Sequence, residues 1–165
     1  MWQKVCLLLL LALAPGHHLS AAYRGVNEME RTLIIFKPDA IEQGRAGTIL
    51  ARFEAAHLRI AGAKVLRLQE EILREHYSHL ADRPFFGDIV AYMSSTPVLL
   101  VVLEGENAIA RVREMVGPTD SATAPKGTIR GDFGESKRRN MVHASEDKTA
   151  AAAEIARFFS LSELF

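Results

Sequence analysis

Apolar residues fall into two patterns along this chain, and their alternation predicts its elements. Short unbroken apolar runs, the mark of a buried strand, occur at Thr32–Phe36 (TLIIF) and, most strongly, at Val98–Leu103 (VLLVVL). Ile60–Leu68 alternates weakly and reads as another strand, and Met141–His143 as a short last one. Elsewhere apolar positions recur every three or four residues, which sets them on one face of a helix. Ile49, Leu50, Phe53 and Ala56 do so within Ala46–His57, and Ile72, Leu73, Tyr77 and Leu80 within Glu70–Leu80. Further helices are predicted over Phe85–Ser94, Asn107–Val116 and the alanine-rich Asp147–Phe159. Pro38, Pro84, Pro97 and the pair Gly117-Pro118 punctuate these elements. Residues 118–140, with three glycines and two prolines, read as one long ordered loop. A loop of that length inside a compact domain points to function. The order β-α-β-α-α-β-α-loop-β-α reduces to a β-α-β-β-α-β plan. That plan is the ferredoxin-like α/β (α+β) sandwich, a four-stranded antiparallel sheet with helices on one face.

One segment stands apart. Val5–Ala14 (VCLLLLLALA) is apolar throughout behind a lone Lys4, and it is too short for a bilayer span of about 20 residues. Its length and flanks suit a secretory signal, with Ser20-Ala21-Ala22 as a small-residue cleavage site. The other reading puts the true start at Met29. Residues 1–28 are therefore treated as a leader and residues 29–165 as a single domain.

Twenty basic residues balance twenty acidic ones, so no bulk electrostatic attraction to nucleic acid or to a membrane is expected. Any anion site must come from local clustering. The one cysteine, Cys6, lies in the leader, which excludes an internal disulfide and a cysteine-built metal site. Walker A, GxGxxG, HExxH and Gly-x-Ser-x-Gly patterns are all absent. The 118–140 loop is different. Lys126, Arg130, Lys137, Arg138 and Arg139 crowd into it beside Thr119, Thr128 and Asn140. Guanidinium forks, point charges and hydroxyls are the groups that bind polyphosphate, although a solvated basic loop has the same composition. His143 follows at once, the only histidine after residue 79. It reads either as a structural ring or as a nucleophile. An imidazole is neutral near pH 7 and carries a phosphoryl group on one nitrogen, provided the other is held by an acceptor. Glu154, on the following helix, is placed to supply one. Glu146 and Asp147 complement that helix's N-terminus.

Asn140-Met141-Val142-His143-Ala144-Ser145-Glu146 resembles the active-site signature of the nucleoside diphosphate kinase family, Asn-x-x-His-(Gly or Ala)-Ser-Asp. Three further blocks agree in order and spacing: Glu30-Arg31-Thr32-Leu33 to Lys37-Pro38-Asp39; His76-Tyr77 to Arg83-Pro84-Phe85-Phe86; and Gly127-Thr128-Ile129-Arg130-Gly131-Asp132-Phe133. The likeness covers residues 30–159. It implies a kinase that moves the γ-phosphate of a nucleoside triphosphate, mainly ATP, to nucleoside diphosphates by a ping-pong route, with Mg²⁺ carried on the nucleotide. His143 would be the acceptor, forming pros-phosphohistidine, with Glu154 orienting it and Ser145 beside it. The implied nucleotide ligands are Lys37, Tyr77, Arg113, Thr119, Arg130 and Asn140, with Phe85 stacking on the base. Glu146 stands where aspartate is usual, which alters the reach to Mg²⁺-bound water. Lys137 stands where a small apolar residue often backs the base. The resemblance also implies a homo-oligomer, tetramer or hexamer, without nucleic acid or a stable membrane partner. Its substrates abound inside cells, so the expectation is a cytoplasmic protein beginning at or near Met29, with export through the leader as the alternative. An inactive nucleotide-binding or scaffold protein of the same fold is the competing function.

Overall fold

The computed structural model describes residues 28–165, so the leader reading lies outside the described residues. Strand β1 (Met29–Phe36) leads through α1 (Pro38–Glu42) and α2 (Ala46–Ala55) to β2 (Arg59–Leu66). Helices α3 (Glu70–His76) and α4 (Phe86–Met93) follow, separated by a 3-10 turn at Ser78–Leu80. Then come β3 (Val98–Glu106), α5 (Ala108–Val116), α6 (Ile129–Phe133), β4 (Val142–Ala144) and α7 (Lys148–Phe158), with a last 3-10 turn at Leu161–Glu163. The sheet order is β2-β3-β1-β4, and every neighbouring pair is antiparallel. This is the expected ferredoxin-like arrangement.

The expectation of helices on one face is corrected. Both faces are covered. Leu33, Ile35, Leu100 and Val102 point to one side and pack on Leu73 of α3, Met93 of α4, and Ile155 and Phe158 of α7. Their alternates Ile34, Phe36, Val101 and Leu103 point to the other and pack on Ile49 and Phe53 of α2 and on Val112 and Val116 of α5. A strand with one wet face alternates apolar and polar residues, whereas one buried on both faces reads as a continuous apolar run. TLIIF and VLLVVL are runs of the second kind, and the last four residues of β1, Leu33 to Phe36, are fully buried.

Other boundaries shift for local reasons. The helix expected to reach Leu80 stops at His76, where Tyr77 leaves helical geometry (φ −106°, ψ 37°). The stop turns His76 and Tyr77 inward together. Helix α1 begins at a proline in its first turn, which suits helix starts, and is too short to show a period. Helix α6 sits inside the expected loop, capped by the Thr128 hydroxyl, which accepts from the Gly131 N–H at 3.1 Å. Strand β3 runs past its apolar segment to Glu106 because Glu104 is satisfied by Arg31 and Arg59 from the flanking strands. Among the described residues no helix is long and apolar enough to cross a membrane.

Candidate active site

Strand β4 is one outer strand of the sheet. It carries His143 opposite Ile35 of β1, with Val142 and Ala144 turned into the core. The imidazole therefore emerges on the face covered by α3 and α7. Its Nε2 lies 3.0 Å from Glu154 Oε2. Burial works to raise the Glu154 pKa, but the hydrogen bond and charge interaction with His143, together with the Ser145 hydroxyl, hold it below the ordinary carboxylate value. An ionised carboxylate only accepts, so Nε2 of His143 bears the proton and Nδ1 keeps its lone pair. Ser145 donates to the same Glu154 oxygen at 2.7 Å. The Ser145 hydroxyl in turn accepts the Leu33 N–H at 3.1 Å, which ties the carboxylate to the centre of the sheet.

A cleft of about 590 Å³ opens beside His143. Lys37, Tyr77, Phe85, Arg113, Thr119, Arg130 and Asn140 all line it, with Glu154, Glu146 and Lys137. Of the residues the family resemblance implicates, only Ser145 is not on the wall; it lies fully buried behind it, and of the basic loop Lys126, Thr128 and Arg139 do not line the cleft. Lys37, at the end of β1, donates to Asn140 Oδ1 at 2.6 Å and to the Arg138 carbonyl at 2.8 Å. Burial pushes its amine down to about 8, with Arg130 and Arg138 adding to the effect and Asp39 opposing it. Buried Asn140 donates to the carbonyls of Thr119 and Lys137, each at 2.9 Å, and so joins both ends of the long loop. Arg130 donates to the carbonyls of Gly117 and Val142 at 2.9 Å, while its buried Nε has no partner. Burial, then the neighbouring Arg113, lowers its pKa to about 10. Burial and the Glu154 charge push the Tyr77 phenol upward, so it stays a hydrogen-bond donor. The Phe85 ring is 46% exposed on the rim, free to stack on a flat ligand.

The sequence reading missed three supporting groups. Fully buried Asp39 accepts the Tyr92 hydroxyl at 2.6 Å and the Met141 N–H at 2.9 Å. Met141 has φ +71°, a left-handed conformation that a non-glycine residue rarely adopts. The Lys37 N–H holds its carbonyl from the other side at 2.9 Å. The third group is His76, whose ring centroid lies 4.6 Å from that of His143 at 74°. Asp39 and His76 both fall within blocks of the signature, but nothing in their spacing discloses these partners. Gly131 has a different function. A Cβ there would meet the Pro125 carbonyl oxygen at 2.0 Å, so only glycine lets α6 set Arg130 this close to the loop.

One group of side chains among the described residues has metal-ligating spacing: His76, His143 and Glu154, with ligand atoms all within 4.8 Å of one another. It does not fit a resident Mg²⁺, which takes oxygen ligands in near-octahedral order. Arg157 also donates toward His76 Nδ1 at 3.4 Å. That leaves the proton on Nε2 and removes the lone pair a softer metal would need. The cleft thus offers a protein nucleophile, five cationic side chains (Lys37, Arg113, Arg130, Lys137 and Arg138) and a stacking ring. This set suits in-line transfer of a phosphoryl group supplied with its own counter-ion.

Comparison with known proteins agrees. The family model described as nucleoside diphosphate kinase matches residues 30–164. The chain is 52% identical over 136 residues to the nucleoside diphosphate kinase of Rhodospirillum centenum, covering 82% of this chain and 97% of that one. It is 49% identical over 136 residues to that of Campylobacter hominis, covering 82% and 99%. Among solved structures, the Aquifex aeolicus nucleoside diphosphate kinase superposes with a TM-score of 0.80 at 47% identity, over 84% of this chain and all of that one. The Halobacterium salinarum enzyme, solved in complex with CDP, superposes with a TM-score of 0.81 at 41% identity, covering 84% and 92%.

Proposed function

Because this chain belongs to the nucleoside diphosphate kinase family, we propose that His143 is the residue through which it acts, taking the phosphoryl group on Nδ1. The activity itself is the family's: a phosphotransferase that converts nucleoside diphosphates to triphosphates. The observation that carries the assignment is the 3.0 Å contact between Nε2 and Glu154, which occupies one ring nitrogen and leaves the other nucleophilic. In the first half-reaction Nδ1 attacks the γ-phosphorus in line. The N–P bond forms, the bond from phosphorus to the bridging oxygen breaks, and the diphosphate leaves with the electron pair. Positive charge left on the ring is met by Glu154. A second diphosphate then enters the same cleft and reverses the step, so the kinetics are ping-pong.

Lys37, Arg113 and Arg130 compensate charge on the transferring oxygens, and Tyr77, Thr119 and Asn140 position them. Mg²⁺ would come as part of the nucleotide substrate, and Glu146, exposed on the cleft wall, is the carboxylate that would hold its waters. The base stacks on Phe85, with Lys137 on the other side where an apolar residue is common. A base held by stacking is weakly discriminated, so ATP is the main donor by abundance and both purine and pyrimidine diphosphates are acceptors. That the Halobacterium relative was solved with CDP is consistent with this tolerance. The working protein on this reading is a cytoplasmic homo-oligomer, tetramer or hexamer. Incubation with γ-labelled ATP tests the core of the proposal. The expected label is acid-labile, alkali-stable and discharged by added diphosphate; a label persisting in His143→Ala overturns it.

A further inference from the structure

The helix that carries the stacking ring also reaches the phosphate end of the cleft. Phe85 caps the start of α4, and Tyr92, in its last turn, lines the same wall. The Tyr92 side chain is half-buried and makes contacts of two kinds. Its hydroxyl donates to Asp39 Oδ1 at 2.6 Å and accepts the Asp39 N–H at 3.4 Å. Its ring face meets the Lys37 ammonium, whose Nζ lies 5.9 Å from the ring centroid. Burial, then the hydrogen bond and charge of Asp39, push the phenol upward, so the hydroxyl keeps its proton at any working pH. The chemistry of the half-reactions gives Tyr92 no part.

An ammonium has three N–H donors and no acceptor. Two of the Lys37 donors are engaged inside the protein, by Asn140 Oδ1 at 2.6 Å and by the Arg138 carbonyl at 2.8 Å. One remains for a phosphate oxygen. A third protein acceptor would take that donor and leave the amine nothing to give. A ring face holds a cation without accepting a hydrogen bond, because the attraction is to the ring quadrupole and acts within about 6 Å. The tether matters as much as the face. Lys37 is the N-cap of α1 and Asp39 stands in its first turn, so a ring hooked to Asp39 stays beside the Lys37 side chain. Asp39 also accepts the Met141 N–H. The same hook therefore reaches the backbone next to Asn140, the other anchor of the amine.

We propose that Tyr92 is the positioning residue for Lys37: its ring face, tethered through the hydroxyl to Asp39, holds the ammonium in the cleft with one N–H left for the transferring phosphoryl group. This rests on the reading of Lys37 as a phosphate ligand. Asp39 in α1, Arg130 in α6 and Arg138 in the long loop also act on the amine, and a substitution at Tyr92 leaves all three in the chain.

The test compares Tyr92→Phe, which keeps the ring face and drops the hydroxyl, with Tyr92→Leu, which drops both and still fills the space. Both are checked for folding by circular dichroism, and the pH profile of kcat/KM is recorded for each full-length protein. In wild type and in Tyr92→Phe the alkaline limb has its midpoint near 8. In Tyr92→Leu the amine stays buried but loses the attraction that favours its charged form, so the midpoint lies about 0.5–1 unit lower. Below the limb, Tyr92→Phe loses at least about fivefold in kcat/KM, because Asp39 lacks its donor. Coincident midpoints in the two variants overturn the inference, as does full activity in Tyr92→Phe. Should Tyr92→Leu fail to fold, Tyr92→Met, whose unbranched chain fills an irregular space, carries the same expectation. A wild-type limb that survives in Lys37→Arg is a different result. It defeats the placement of Lys37 at the phosphates and this inference with it, whereas the outcomes above leave that placement standing.

Discussion

The Lys37 ammonium and the Asn140 side-chain oxygen meet at 2.6 Å, and this contact joins the end of β1 to the last residue of the long loop. It also buries the amine, whose pKa falls to about 8. The sign for activity follows directly. A lysine lowered to about 8 is charged below that pH and loses its charge as pH rises through it. The predicted kcat/KM, which reports the free enzyme, therefore declines on the alkaline side with a midpoint near 8. Lys37→Arg, which does not titrate there, should lose that limb while retaining part of the activity. An unchanged alkaline limb in this variant would assign it to another group.

Glu154→Gln should slow phosphorylation of His143 by roughly 10- to 10⁴-fold while nucleotide affinity stays nearly constant, as for other groups that orient a catalytic ring. The amide keeps the size of the side chain and loses its charge, so the developing imidazolium goes uncompensated. Single-turnover quench experiments, with nucleotide binding measured separately, distinguish this from a binding defect. Equal rates would reduce Glu154 to a packing residue.

Asp39 holds two partners, the Tyr92 hydroxyl and the Met141 N–H. Asp39→Ala leaves the buried Met141 N–H unsatisfied, at about 1–3 kcal/mol, takes the acceptor from the half-buried Tyr92 hydroxyl, and frees Met141 to leave its left-handed conformation. Urea unfolding should show a loss of about 2–5 kcal/mol. Activity measured well below the unfolding midpoint should also fall, because Asn140 precedes Met141 and moves with it. A variant that loses stability but keeps full activity contradicts the second half of this expectation.

Acid should weaken the fold through His76. Its pKa is lowered from 6.5 to about 3, so between these values the unfolded chain binds the proton and the native ring does not. Stability is therefore complete above about pH 6.5 and is lost as pH falls toward 3. Between pH 7 and pH 4 wild type should lose about 3 kcal/mol more than His76→Phe. Parallel pH dependences of the two proteins in urea titrations would show that the ring is not neutral in the native state.

The strands were legible because β1 and β3 are buried on both faces, which forbids polar residues and leaves unbroken apolar runs. The same observation contradicts helices on one face: a one-sided sheet does not yield TLIIF. Helices α1 and α6 were not legible, since a five-residue helix shows less than two turns of period. The nucleophile and its charged neighbours were visible as an isolated histidine after a basic loop and as blocks of a family signature. Asp39, Tyr92, Met141 and His76 were not, because their roles come from contacts across the fold. Asp39 and Met141 are 102 positions apart, and no local pattern encodes such a pairing.

The same long reach sets when this protein becomes competent. Ser145 receives the Leu33 N–H across 112 positions of chain, and His143, two residues earlier, takes its place in β4 only through that antiparallel pairing with β1. Closing so large a loop is entropically slow relative to forming local helices. On refolding from denaturant, helical circular dichroism should return ahead of the ability to accept a phosphoryl group. The covalent label then serves as a clock for the last docking event: the strand that bears the chemistry is also the one that completes the sheet.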